Sequence, residues 1–110
     1  MKQGEIWYAD LNPTKGSEQS GFRPMVIISG NLLNMYLKVV IACPLTTKVK
    51  NIKGNLVIKP NNSNKLTQES EVLTFHIRSL SKQRLVRKIG VISDSQIEII
   101  KRGLNEILTY

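Results

Sequence analysis

LKVVIACPLTT, residues 37–47, carries Val39, Val40 and Ile41 in succession, and its VVIAC core offers apolar side chains to both faces. Alternate residues of a strand point to opposite faces, so a run with no polar face predicts a central strand covered on both sides. Pro44 then removes a ladder donor, and the strand is expected to bend or lose pairing there. Leu45, Thr46 and Thr47 are thereby placed at a strand end. RPMVIIS (23–29) has the same two-sided apolar character.

Working outward, GEIWYADL (4–11), GNLVIKP (54–60), EVLTFHIRSL (71–80) and KIGVI (88–92) are further short β-rich runs, separated by Asn-Pro, Lys-Gly, Ser-Gly and Pro-Asn-Asn turn signals. The fold class expected is mainly β, a small barrel or strongly bent sheet of about six short strands. Two helices are predicted, a short one in SGNLLNMY (29–36) and a longer one in SDSQIEIIKRGLNEILTY (93–110). Ser93 with Gln96 three residues on has the form of a capping box. Ile97, Ile100, Leu104 and Ile107 fall on one face, with Leu108 beside them, a stripe suited to docking on the sheet. Gly103 interrupts it, at up to about 1 kcal/mol relative to Ala, so packing must compensate.

The 110 residues suffice for one domain spanning 1–110, because a chain of this size buries only about two thirds of its unfolded surface. The N-terminal MKQGEIWYAD lacks a secretory pattern, and no apolar stretch approaches the length of a membrane span, so the chain reads as cytoplasmic with no membrane partner. Cys43 is the only cysteine and His76 the only histidine. No metal set and no cofactor are expected. Sixteen basic residues against eight acidic ones give a net charge of +8. Lys38, Lys48, Lys50, Lys53, Lys59 and Lys65 form one run without an acid, and Arg78, Lys82, Arg84, Arg87 and Lys88 another. Such fields attract polyanions, although a merely solvated surface has the same composition.

Arg23 stands where GSEQSGFRPMVII (16–28) passes from polar loop to apolar strand. Its guanidinium keeps its charge, and the planar fork of donors matches phosphate or carboxylate. Pro24 biases Arg23 toward extended backbone, which starts its side chain from a rigid strand. An ion pair with Glu18 is the ordinary alternative. Thr46 and Thr47 bring hydroxyl donors to the other strand end, next to the lysine-rich stretch.

GEIWYADLNPTKGSEQSGFRPMVIIS, then CPLTTK, then VLTFHIRSLSKQRL before a final helix together resemble the MazF/PemK group of bacterial toxin endoribonucleases. The likeness covers essentially the whole chain, with the parts in the family's order and spacing. It implies an SH3-like, CcdB/PemK-like barrel with a C-terminal helix, a homodimer, and metal-independent, sequence-specific cleavage of single-stranded RNA, usually mRNA. The expected products are 2′,3′-cyclic phosphate and 5′-hydroxyl ends, formed by attack of the 2′-hydroxyl. A cognate antitoxin with an acidic tail is implied as inhibitor. Carried over by position, the catalytic arginine is Arg23 and the catalytic threonine Thr46, with Thr47 the competitor one register slip away. Ser17, Glu18 and Gln19 resemble the family's RNA-gating loop, with Glu18 as proton acceptor or hydrogen-bonding group.

Phe22 is the expected base-stacking ring beside Arg23, whereas Trp7 and Tyr8 read as barrel core or dimer contact. Strand alternation in EVLTFHIRSL puts Leu73, Phe75 and Ile77 on one face, and Val72, Thr74, His76 and Arg78 on the other. His76 and Arg78 are thus expected in the RNA groove with Lys48. His76 departs from the family pattern, where a polar residue such as Gln usually stands, and is read as an RNA or interface contact rather than a catalyst. Two alternatives share the fold: a CcdB-like toxin that poisons DNA gyrase by binding protein, and a noncatalytic nucleic-acid-binding barrel. The gyrase poison has no use for Arg23 with Thr46; the simple binder would leave RNA intact.

Overall fold

The computed structural model describes residues 1–12 and 21–110. Seven strands, β1 (Glu5–Asp10), β2 (Phe22–Ile27), β3 (Val39–Thr46), β4 (Val57–Ile58), β5 (Ser70–Val72), β6 (Arg78–Ser81) and β7 (Leu85–Val91), join two helices, α1 (Asn31–Tyr36) and α2 (Asp94–Thr109). The sheet runs β4-β5-β3-β2-β1-β7, with β6 also on β3, and forms a half-barrel. All pairings are antiparallel. Among the described residues no helix is long and apolar enough to cross a membrane.

β3 is the central strand, and its two-sided apolarity feeds two cores. Cys43 and Leu45 join Ile6 of β1, Val26 of β2 and Ile97 and Ile100 of α2 in one cluster. Val40 and Ala42 join Ala9, Met25, Ile27 and Leu80 in the other. Successive residues of three neighbouring strands thus alternate between the clusters, as the pleat requires. Burial pushes the Cys43 thiol up to about 12, so it behaves as a small hydrophobe.

Pro44 acts as expected, with one refinement. Along one edge of β3, Val39–Ala42 pair with β6 while Leu45 and Thr46 pair with β5. The missing N–H falls where the partner changes, and the Pro44 carbonyl accepts the Leu73 N–H at 2.9 Å. This corrects the reading of 71–80 as one strand. The segment is split by a 3₁₀ turn over Thr74–His76, so strand alternation does not apply: Leu73 and Thr74 are both buried while Phe75 is half exposed.

The capping box is present, with the Ser93 hydroxyl accepting Gln96 N–H at 3.2 Å and the Gln96 side chain accepting Ser93 N–H at 3.0 Å. The apolar stripe is shorter than the sequence suggests. Ile97 and Ile100 are buried, but Ile107 and Leu108 are 49% and 80% exposed, because the last turn of α2 runs past the core clusters. Gly103 has a steric explanation: a Cβ there would lie 2.5 Å from the Gly54 carbonyl oxygen, so only glycine lets the helix approach that backbone.

Helix propensity alone predicts that Gly103→Ala stabilises the chain by about 1 kcal/mol. The packing predicts the opposite, a loss of about 1–3 kcal/mol from overpacking. Thermal or urea denaturation of the variant decides between them.

Candidate active site

The β2–β3 ladder places the two singled-out side chains. Its register is Ile27 opposite Ala42, Val26 opposite Cys43 and Met25 opposite Pro44. The pairing ends at Met25–Pro44, beyond which β2 runs on to Arg23, paired with Ala9 of β1, and β3 runs on to Thr46, paired with Glu71 of β5. Thr47 follows the strand end and is exposed. Phe22, Arg23, Thr46, Thr47, Lys48 and Ser70 line one open depression of about 350 Å³.

Arg23 is half-buried, and its Nη1 reaches the Leu45 carbonyl at 3.5 Å. Among the described residues it has no carboxylate within ion-pair distance, which leaves donors of the fork free for an anion. Glu18, its alternative partner, lies with Ser17 and Gln19 outside the described residues. The Thr46 hydroxyl accepts the Lys48 N–H at 3.1 Å, so its own proton remains available to donate.

A residue not singled out from the sequence organises the lysine-rich side. Glu71, paired with Thr46 across β3 and β5, is fully buried. Its carboxylate accepts the N–H groups of Lys50, Asn51 and Ile52 at 2.7, 3.0 and 3.0 Å and the Asn55 amide at 2.9 Å. Burial pushes this carboxyl up, and the hydrogen bonds, that from Asn55 foremost, outweigh it and hold the group below the usual 4.5. A second hollow, of about 180 Å³, adjoins the first through Thr46 and Lys48 and includes Lys50, Leu73 and Phe75. The only hint of Glu71 in the sequence is an acid opening an otherwise apolar run.

The remaining expected groove residues are placed differently. Arg78 pairs with Ala42 in β6 and therefore shares the sheet face of Ala42, but it does not line the depression. His76 sits in the 3₁₀ turn with its ring 4.6 Å from that of Phe75, so its expected strand neighbourhood with Arg78 is not formed. Two of the cations serve the fold: Arg84 donates to the carbonyls of Asp10 and Asn12 at 3.0 and 2.7 Å, and Lys82 donates to that of Asn34. Trp7 packs on the second cluster as expected. Tyr8 does not join either core, stacking instead on Phe22. Among the described residues no three His, Cys, Asp or Glu side chains form a metal-binding group.

An arginine and a threonine hydroxyl at neighbouring strand ends, beside exposed lysines, bring donors and positive charge to one open depression. Comparison with known proteins gives the lineage of this arrangement. Residues 2–108 match the family described as PemK-like, MazF-like toxin of type II toxin-antitoxin system. A curated relative, Endoribonuclease MazF of Staphylococcus saprophyticus, is 34% identical over 106 residues, covering 96% of this chain and 88% of the relative. The fold is similar to crystalline MazF from Deinococcus radiodurans, with a TM-score of 0.84 at 23% identity over 100% of this chain and 97% of that one. It is also similar to a mycobacterial endoribonuclease in complex with its cognate antitoxin, with a TM-score of 0.80 at 26% identity over 98% of this chain and 94% of that one. The chain belongs to the PemK-like, MazF-like toxin family of type II toxin–antitoxin systems.

The Glu71 geometry generates a pH prediction. A carboxyl depressed on folding contributes stability that is present above its unfolded value, near 4.5, and is lost as pH falls through the lower folded value. Glu71→Gln should cost about 2–3 kcal/mol at neutral pH. The gap to the wild type should narrow as denaturation is repeated at progressively lower pH below 4.5.

Proposed function

We propose that this toxin is an endoribonuclease that cuts single-stranded RNA, mRNA above all, within a short recognition sequence at the Arg23–Thr46 depression. The observation that carries the reading is the one depression lined by both Arg23 and Thr46, a guanidinium free of carboxylates among the described residues and a hydroxyl with an available proton. The family and the curated endoribonuclease relative support the substrate class.

In the proposed reaction the ribose 2′-oxygen attacks the adjacent phosphorus and the bond to the 5′-oxygen breaks, giving a 2′,3′-cyclic phosphate and a 5′-hydroxyl. The 2′-proton is lost and the departing 5′-oxygen gains one. The nucleophile is supplied by the substrate, so the protein's task is to position the phosphate and stabilise the charge on its non-bridging oxygens. Arg23 takes that charge through its fork and Thr46 donates from its hydroxyl. A guanidinium is a poor base near neutrality, so Arg23 acts electrostatically. Lys48 and Thr47 at the rim, Phe22 as a stacking ring, and His76 and Arg78 along the flank hold the RNA. Ser17, Glu18 and Gln19 complete the proposed RNA-binding set. The working form is a homodimer in the cytoplasm, and a cognate antitoxin with an acidic tail inhibits it by covering the basic face, in line with the antitoxin-bound mycobacterial relative.

Purified protein incubated in EDTA with long unstructured RNA should cut at one short motif and leave 5′-hydroxyl ends. Arg23→Ala and Thr46→Ala should each slow cutting by about 10²–10³-fold, the usual effect of losing one such donor, while Thr47→Ala stays within a few-fold. Intact RNA, or wild-type rates in a folded Arg23→Ala variant, would refute the assignment. His76→Gln should retain cleavage, and its loss would move the histidine into the chemistry.

A further inference from the structure

Three neighbouring strands carry a ladder of side chains that neither core uses. Arg87 of β7 lies over the Tyr8 ring of β1, with its guanidinium carbon 5.5 Å from the ring centroid. Tyr8 in turn stacks on Phe22 of β2, centroids 5.9 Å apart and planes 21° from parallel. Phe22 is 53% exposed and forms the lip of the Arg23–Thr46 depression. The ladder therefore begins at that depression and leads away from it across β1 to β7.

Two features fit a polyanion with flat bases. The neighbouring Lys88 is engaged by Glu5 at 3.1 Å, but among the described residues Arg87 has no carboxylate partner, so its charge is available to a phosphate. The rings already buttress one another, so a base laid against Phe22 gains stacking without a fresh cost of ordering the aromatic side chains. The Asp10 carboxylate opposite Phe22 accepts the Asn12 N–H at 3.0 Å, which ties one of its oxygens to the chain beyond β1.

We infer that Phe22, Tyr8 and Arg87 form a track that binds the single-stranded RNA on one side of the cut, extending the contact beyond the Arg23–Thr46 depression. This rests on the reading of that depression as an RNA site. The contact is tolerant of base identity, because every base offers a flat face to a ring or a guanidinium. It raises affinity with RNA length and adds no sequence information.

The test uses 2′-O-methyl oligoribonucleotides of mixed sequence, whose blocked 2′-oxygen prevents cleavage. Pools of about six nucleotides are compared with pools of about ten, lengthened at the 5′ or the 3′ end. One of the two extensions should raise wild-type affinity about tenfold. That gain should shrink toward one in Arg87→Ala and Phe22→Leu and persist in Phe22→Trp, with equal melting temperatures verifying the folds. Arg87→Ala should also lower the salt dependence with the longer pool by roughly 0.7 in logarithmic slope. The track is refuted if neither extension adds affinity, if Arg87→Ala keeps the full gain, or if oligoglutamate displaces the short pool and RNA length has no effect, which would assign the face to an acidic protein partner. Since nothing is cut, a length gain that depends on Arg87 supports the track even for a protein that proves unable to cleave RNA.

Discussion

The antiparallel register between β2 and β3 is the constraint on which the rest of the structure depends. It sends Val26 and Cys43 into the core beneath α2 and Met25 and Ala42 into the core on the opposite face. A slip of one residue would exchange the two faces. That slip would also displace Arg23 relative to Thr46 in the depression both line. Fold stability and site geometry are thus set by the same pairing, and the apolar residues that fix the register hold the polar pair at the strand ends in place.

The basic side of the depression is shaped by a buried anion. Among the described residues Glu71 makes no ion pair; its charge is met by three successive backbone N–H groups and one amide. This arrangement winds the chain after Thr46 around the carboxylate and leaves the Lys48, Lys50 and Lys53 side chains exposed. A lysine that neutralised Glu71 would be lost to a polyanionic partner, so backbone satisfaction keeps the surface charge intact. Three of the sixteen basic residues are thereby held exposed on the chain that leaves Thr46.

Much of this was legible in the sequence, for physical reasons that can be named. VVIAC and MVII show their two-sided burial in the absence of any polar alternation, and the Ser93–Gln96 box marks the start of α2 by local chemistry alone. Arg23 and the Thr46–Thr47 pair stand out at the polar ends of apolar runs, while the choice of Thr46 over Thr47 comes from the family resemblance. What failed was long-range. The 3₁₀ turn at Thr74–His76 is hidden in EVLTFHIRSL, because the break depends on where Pro44 falls on the neighbouring strand. Ile107 and Leu108 keep the helical spacing of a buried stripe, and only the extent of the cores leaves them exposed. Gly103 looked like a weak point until Gly54 was found against it. The core half of the Tyr8 reading failed because periodicity does not reveal an aromatic neighbour across a strand pair.

The central claim is that Arg23 and Thr46 act on one phosphate as a unit. A double-mutant cycle on single-turnover cleavage of one short RNA measures this directly, with Arg23→Ala, Thr46→Ala and the combined variant. The account predicts strong non-additivity, with a coupling of about 1–3 kcal/mol and a double variant little slower than the worse single one. Losses that simply multiply would contradict it, placing the two side chains in independent roles.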